Sequence, residues 1–355
     1  MAQFTGKLNS NEIFAALYNM IISQQVYADN ISGDDELVNE NKVDGTLYGD
    51  TKLYYATDAL FSSEWGNDAE ATNLLALDRP EAPEVQALVL DQFRQIRLTV
   101  DNYLSKRAWA NEGAFASFNG VMKGWIQDTK KIYDGTTFNV FFGTYRTTEG
   151  AQDVKVKTSG ITETGEAKDR KEAQMIAQTV ARTLKKVADY SRDYNDYGNL
   201  RRFAKDDLTI VWNSAFVDKI TNIDLPTLYH KDLFNFSKEL EARYFGDVIA
   251  TAGTSDGTKR SMIEQVVTNG SKNVHVFAGD LIPNGYKYDA YKAYTENPNV
   301  ICKIYKKGTI PYMSAFEVAT SFFNPRSLTE NNYLTFGHNT LEVLKNYPFI
   351  TIEAN

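Results

Sequence analysis

From Ala114 to Tyr133 the large side chains fall three or four residues apart: Phe115, Phe118, Met122, Trp125, Ile126, Thr129, Ile132 and Tyr133. That spacing places them on one face of a helix about five turns long. Asn119, Lys123, Asp128 and Lys131 fall on the opposite face, where water requires polar groups. Asp134-Gly135 reads as a helix break, and the apolar run Phe138 to Gly143 as a short strand. Gly120 and Gly124 each cost roughly 1 kcal/mol relative to Ala inside a helix, so another segment is expected to cross closely there. An ordinary core helix would explain the periodicity equally well, and the segment ahead of it carries the distinction.

That segment is acidic and poor in contiguous apolar positions. Asp29 to Asp50 is polar and turn-rich, Thr51 to Thr57 reads as a short strand, and Phe61 to Pro83 is irregular, with Trp65, Leu74, Leu75 and Leu77 as isolated anchors. Leu88, Leu90, Ile96, Leu98 and Val100 then fall on alternate positions, the pattern of a long strand or ribbon arm. A two-stranded ribbon is marginal in water and needs a surface to lie on; that surface can belong to a neighbouring molecule. Residues 1–105 carry 17 acidic and 6 basic side chains, a net of −11, whereas residues 106–355 carry 29 acidic and 32 basic, a net of +3. A solvated acidic surface accounts for this, and so does an acidic arm that docks on a more basic part of another copy.

The 355 residues suit about two domains, and 43% hydrophobic with 24% charged content supports a sizeable core. No apolar run approaches the ~18–20 residues of a membrane span. The run Ile13 to Ile22 reads as part of an amphipathic helix, about Asn11 to Tyr27, capped at Asn11, and not as a signal peptide. Beyond the central helix, strands are expected at Val154–Thr158, Leu208–Trp212, Asn273–Phe277, Val300–Tyr305, Ser314–Phe323, Asn332–Phe336 and Phe349–Glu353. A second long helix is expected over Glu172–Ser191 after a polar loop, Ser159 to Arg170, and partial helix over Lys231–Tyr244. Helix and strand alternate without the regular beat of a doubly wound sheet, so the fold class is α+β.

Sites of chemistry find little support. The three histidines, His230, His275 and His338, have no ligand spacing. Cys302, the single cysteine, lies in an apolar strand as an inert packed thiol; it excludes an intrachain disulfide and fits a reducing compartment. The sequons at Asn30, Asn235 and Asn269 therefore carry no expected glycan. No G-x-S-x-G elbow occurs, and Gly253 to Lys259 has three residues between its glycines where a phosphate-binding loop needs four, so it reads as a surface turn. Asp34-Asp35 and Asp206-Asp207 are adjacent and suit solvated loops. Basic residues cluster no further than pairs, such as Lys130-Lys131, Lys185-Lys186, Arg201-Arg202 and Lys306-Lys307, and a chain of pI near 5.1 should not grip free DNA. No catalytic, cofactor-binding or metal residues are assigned.

The order of parts is distinctive: an N-terminal arm, an extended acidic ribbon, a long helix, a mixed lobe and a strand-rich ending. Four runs carry a resemblance: Val43 to Lys52, Phe93 to Lys106, Leu208 to Ser214 and Glu317 to Leu328. In layout and flavour over nearly the whole chain, the sequence resembles the major capsid proteins of tailed bacteriophages, the Hong Kong 97 phage-capsid fold, particularly of podovirus-like phages. The resemblance implies an N-terminal arm at 1–40, an extended loop at 41–105, a peripheral domain with its spine helix at 106–159, an axial domain at 160–308 and return strands of the peripheral domain at 309–355. It implies a non-enzymatic subunit that assembles with itself, in pentamers and hexamers, into an icosahedral shell around a double-stranded DNA genome. The DNA would lie inside without sequence-specific binding. Portal and scaffolding or other head proteins would be partners, with no membrane, and assembly would take place in the host cytoplasm before residence in the virion. Some members of that family crosslink through Lys and Asn; Lys52 lies in the expected loop, but no partner for it is identified. An encapsulin-type shell, or a tail or receptor-binding component, is the alternative, separated by packaged cargo or by fibre formation.

Overall fold

The computed structural model describes residues 35–45, 50–62, 79–101, 112–147, 149–221 and 238–355. The expected helix at 11–27, the anchors Trp65, Leu74, Leu75 and Leu77, and His230 lie outside them. Helix α1 (Glu36–Asn41) leads into strands β1 (Lys42–Asp44), β2 (Thr51–Ala56) and β3 (Glu84–Asp101), and then the long helix α2 (Glu112–Thr144). Strand β4 (Asp153–Val156), helix α3 (Glu166–Val187), β5 (Leu208–Asn213) and helix α4 (Ser214–Thr221) follow. Next come β6 (Glu239–Leu240), β7 (Gly246–Val248), β8 (Gly253–Thr254), β9 (Lys259–Ser261), β10 (Gln265–Asn269), β11 (Lys272–Val276), β12 (Lys287–Tyr288) and β13 (Ala293–Glu296). The chain ends with β14 (Val300–Lys306), β15 (Tyr312–Asn324), β16 (Thr329–Asn339) and β17 (Phe349–Ala354).

Two five-stranded sheets organise these elements. The inner sheet has the order β4-β17-β14-β5-β6. One of its faces meets α3 through Ala173, Ile176, Val180, Leu184 and Val187, packed on Ile210, Trp212, Cys302, Ile304 and Ile352. The other face meets the C-terminal part of α2, where Phe138, Val140 and Phe142 pack on Val211, Val300, Tyr305 and Phe349. Alternate side chains of β14 serve the two layers, and at the register shift between Val300 and Cys302 two successive residues, Ile301 and Cys302, join the α3 layer. Covered on both faces, β14 is apolar at nearly every position instead of alternate ones. Each fully buried Phe or Ile of this layer stabilises the fold by roughly 1.5–3 kcal/mol. A small lobe of two further sheets, β11-β10-β12-β8 and β7-β13-β9, is inserted between β6 and β14 around Val267, Val276, Ile282 and Ala293.

The outer sheet has the order β1-β15-β16-β3-β2. Its 18-residue β3 is the long strand expected from the alternation of Leu88 to Val100. At ~3.3 Å per residue it spans roughly 60 Å. Helix α2 lies against this sheet through Ile126 and Tyr133, which pack on Leu334 and Phe336 with Ile96 and Leu98 beside them. The stretch 309–355 divides between the sheets: β15 and β16 build the outer one with β3, while β17 pairs with β14 and β4 in the inner one.

Several expectations need correction. Helix α2 does not break at Asp134-Gly135, and Phe138 to Gly143 is helical, not a strand; the helix has 33 residues. Asp134 spends its carboxylate on side chains, accepting from Lys130 at 2.6 Å one turn back and from the Tyr312 hydroxyl at 2.6 Å. The end of α2 is enclosed by the inner sheet, so its apolar residues are nearly contiguous and the helical period is hidden. The close approach expected at Gly120 is not found among the described residues, and Gly135 and Gly143 make close approaches instead. Nothing lies within 4 Å of a side-chain position at Gly120, whereas a Cβ at Gly135 would stand 3.1 Å from the Asp35 carboxylate, and one at Gly143 would press into the Tyr244 carbonyl. Trp125 is 49% exposed and Ile132 37% exposed, so the apolar face of α2 is only partly covered within the molecule. Helix α3 starts at Glu166, earlier than expected, with Gly165 at φ 64° as its N-cap. The ion pairs Lys168–Glu172 and Arg170–Glu166, one turn apart, support that added turn. In the described part of the expected partial helix 231–244 there is only β6 and a 3₁₀ turn, Ala242–Tyr244.

Candidate assembly surface

The described acidic segment is anchored at three places. At the first, Leu37 and Val38 of α1 are buried with Phe138 and Val140 of α2. The Asp35 side chain accepts from the Leu37 and Val38 amides and from Asn139 of α2 at 2.7 Å, using the space left by Gly135. Glu36 and Glu40 pair with Lys238, and Glu40 also with Lys307. At the second, Asp58 accepts from the Leu200 amide at 2.8 Å and from Arg192 at 2.5 Å, while Arg201 donates to the Thr57 carbonyl. The Leu200 amide, Arg192 and the Ala59 amide hold the Asp58 carboxyl down at about 2. Neither a solvated surface nor docking on another copy describes these groups: Glu36, Glu40 and Asp58 meet cations of their own chain. The reason is geometric, since folding carries Arg192, Lys238 and Lys307 to the base of the arm.

The third anchor is the ribbon of β2 and β3, paired from Thr51↔Val89 to Ala56↔Glu84. Its inner face rests on the molecule: Leu88 and Leu90 are buried with Met313 and Leu344, and Tyr54 and Tyr347 border them. Its outer face is apolar and uncovered. Leu53 is 52% exposed, Tyr55 63%, Val85 48% and Val89 43%, and Leu60 and Phe61 just beyond are almost wholly exposed. The register sets Leu53 opposite Ala87 and Tyr55 opposite Val85. A contiguous apolar sheet face of this kind marks an interaction site.

The far end of the same sheet is exposed too. At its base a polar network locks α2 to the hairpin of β15 and β16. Lys130 bridges Asp134 and Glu317, at 2.6 and 2.8 Å. His338 Nδ1 lies 2.8 Å from the Asn339 carbonyl, which can only accept, so Nδ1 carries the proton and Nε2 accepts from the Tyr133 hydroxyl at 2.7 Å. Burial holds the His338 imidazole below its ordinary value. Beyond this base every side chain from Glu317 to Phe323 is exposed, including Phe322 and Phe323.

One further polar feature escaped the sequence reading. Lys303, inside β14, is fully buried and donates to the carbonyls of Phe142, Gly143 and Tyr145 at 2.8, 2.9 and 2.8 Å. The last carbonyls of a helix lack partners within it, so this amine closes the C-terminus of α2 from the middle of the sheet. Burial pulls the amine well below the lysine range; Arg146 adds to that, and Glu353 and Asp247 oppose it. A lone lysine in the apolar run Val300 to Tyr305 was the available signal.

The groups weighed for chemistry stay apart. Cys302 is buried, and burial pushes its thiol up. His275 is half exposed and lies 3.3 Å from Glu264. Among the described residues no three His, Cys, Asp or Glu converge as metal ligands, and no helix is long and apolar enough to cross a membrane. The turn at Gly253–Lys259 spends its side chains on structure, with Ser255 donating to the Ile282 carbonyl and Thr258 to Asp256.

Solved structures share this architecture. A chain from the capsid structure of Staphylococcus phage Andhra superposes with a TM-score of 0.65 at 10% identity, covering 93% of this chain and 87% of its own. A chain from the structure of head fibre and inner core protein gp22 of native bacteriophage P68 gives 0.60 at 10% identity, covering 99% and 88%. The fold is therefore that of the Hong Kong 97-type phage capsid subunits, in an α+β chain. The family model of the Phi29-like phage major capsid protein matches residues 3–352, and the chain belongs to that family. No curated protein sequence matches significantly. The molecule is a capsid shell protein of a bacteriophage virion that assembles with copies of itself, in a family of structural proteins and not of enzymes. The encapsulin and tail-component alternatives are not favoured.

Proposed function

We propose that this chain is the building block of an icosahedral shell, in pentamers and hexamers, around the double-stranded DNA genome of a tailed phage. In this reading residues 1–40 form an N-terminal arm and 41–105 an extended loop that lies over a neighbour. Residues 106–159 and 309–355 form the peripheral domain around α2, and 160–308 the axial domain. The inner sheet then spans both domains, with β17 pairing β14 on the axial side and β4 on the peripheral side. The observation that carries the reading is the two-sided ribbon: its inner face is seated on Met313 and Leu344, and its outer face presents Leu53, Tyr55, Val85 and Val89 to something outside the molecule. An obligate subunit interface typically buries roughly 2,000–5,000 Å², and an apolar ribbon face is suited to begin one. The net charge of −8 suits a wall that encloses DNA without gripping it. Portal, scaffolding and other head proteins complete the particle, which forms in the host cytoplasm.

Negative-stain microscopy of the overexpressed full chain tests this reading. Closed shells, alone or with co-expressed head proteins, are expected. A population of compact monomers under all such conditions, or of fibres, would overturn it.

A further inference from the structure

Among the described residues the outer edge of β15 is open over most of its length. Strand β1 pairs with it only at Tyr312, Met313 and Ser314, and among the described residues no strand pairs that edge from Ala315 to Asn324. Edge strands are ordinarily blunted by lysines, prolines, bulges or inward charges, because a row of free backbone donors and acceptors recruits other strands. The run Val318-Ala319-Thr320-Ser321-Phe322-Phe323 carries none of these. The irregularity in its pairing with β16 lies before it, between Ala315 and Val318, and Pro325 follows the strand. Glu317, at the start of the run, is tied to Lys130 of the same chain, and Val318 to Phe323 carry no charge.

The side chains of this run are complementary to a copy of itself. Val318, Thr320 and Phe322 fall on one face of β15. If two copies pair antiparallel about Thr320, Val318 of each lies opposite Phe322 of the other, and the two threonines meet at the centre. An aromatic against a β-branched side chain and a threonine against a threonine are both favourable cross-strand pairs. On the other face the same register sets Ala319 opposite Ser321, two small residues that leave room for the joined sheets to twist. The pairing spans Glu317 to Phe323, clear of β1. Val318, Phe322 and Phe323 are 39%, 63% and 50% exposed within the single chain, so each has surface to bury.

We propose that the β15 edge is a two-fold contact between copies of this chain, in which residues 317–323 pair antiparallel about Thr320 and join two outer sheets into one. The inference rests on the chain assembling with itself, and adds which edge meets which.

Paired thiols test it in assembled particles. Wild-type Cys302 is buried and should form no intermolecular disulfide. Directly opposed residues of an antiparallel pair have Cβ atoms about 4.5–5.5 Å apart, and diagonal ones about 7–8 Å; a disulfide needs roughly 3.5–4.5 Å. Particles of the Thr320→Cys chain, assembled under reduction and then oxidised with diamide, should run largely as a covalent dimer. Ser321→Cys particles, whose introduced thiols would stand diagonally, should stay monomeric on the same gel. Intact particles with no Thr320→Cys dimer would overturn the edge contact while leaving the shell reading in place; another segment, of this chain or a partner, would then cover the edge. Equal crosslinking at both positions would overturn the register. Failure of the wild-type chain to form particles under any condition would remove the shell reading itself, and the edge contact with it.

Discussion

Two consecutive strands, β14 and β15, contain apolar runs of similar length with opposite fates. In β14 every side chain from Val300 to Tyr305 is buried; in β15 every side chain from Glu317 to Phe323 is exposed. The difference lies in what surrounds them. Strand β14 has β17 and β5 on its edges and α2 and α3 on its faces, all from the same chain. Strand β15 has β16 on one edge and, beyond Ser314, no described strand on the other. One sheet completes the subunit, and the other leaves bonding capacity for its neighbours. A shell subunit needs both, because it must fold before it meets its copies and still present surfaces that only those copies can fill.

The comparison is tested most severely in the inner sheet. Phe142 packs edge-on against Tyr305 and Phe349, with ring centroids 5.3 and 5.4 Å away. Phe142→Ala should destabilise the subunit by about 3–5 kcal/mol, seen as an early urea midpoint, and shell yield should fall with it. Lys303→Met comes next. It leaves three buried carbonyls without their donor, a loss of about 1–3 kcal/mol for an unsatisfied group, and the C-terminal end of α2 should show faster amide exchange. A Lys303→Met chain as stable as wild type would show that the amine does not close the helix.

The outer sheet should answer differently. Tyr55→Ser combined with Val85→Ser removes one exposed cross-strand pair, so subunit stability should move by no more than about 1 kcal/mol. Particle yield by sedimentation should nonetheless drop sharply. Equal losses of stability and assembly would break the distinction between the two sheets. Replacing the exposed Glu81 and Glu84 by Lys tests the charge of the arm in the same way, with a smaller expected loss of assembly and an unchanged unfolding midpoint.

The smallest expected effect lies at the joint between α2 and the outer sheet. His338 faces Tyr133 and Asp134 of α2, Arg94 and Asp91 of β3, and Tyr312 of β15. Its folded-state value is depressed, so the unfolded chain takes up a proton near pH 6.5 while the folded chain does not. The stability it contributes is complete above that pH and is lost as pH falls below it. The midpoint temperature should therefore decline modestly from pH 7 to pH 5, and His338→Gln should flatten the decline.

Much of this architecture is written locally. The alternation from Leu88 to Val100 specified β3, the period over Ile176, Val180, Leu184 and Val187 specified α3, and the solid run Leu208 to Trp212 specified a buried strand. The candidate surface was legible in part. The shortage of apolar positions ahead of α2 pointed to a neighbour, yet α1 and Asp58 proved to be held by their own chain. What stayed hidden shares one property, long separation. Tyr133 meets His338 from 205 residues away, Asp35 meets Asn139 from 104, and Lys303 reaches Phe142 from 161. Gly135 looked like a helix breaker because nothing nearby in the sequence announces the carboxylate that comes to rest against it.

By itself the sequence determined the secondary elements whose periods are regular, the α+β class and the absence of a compact site motif, because periodicity and residue chemistry act over a few turns of chain. Only the tertiary structure decided which apolar runs are enclosed and which face outward, and which acidic groups are neutralised at home. Burial and ion pairing depend on what folding brings alongside, and an exposed strand and a buried one can be spelled with the same kinds of residue.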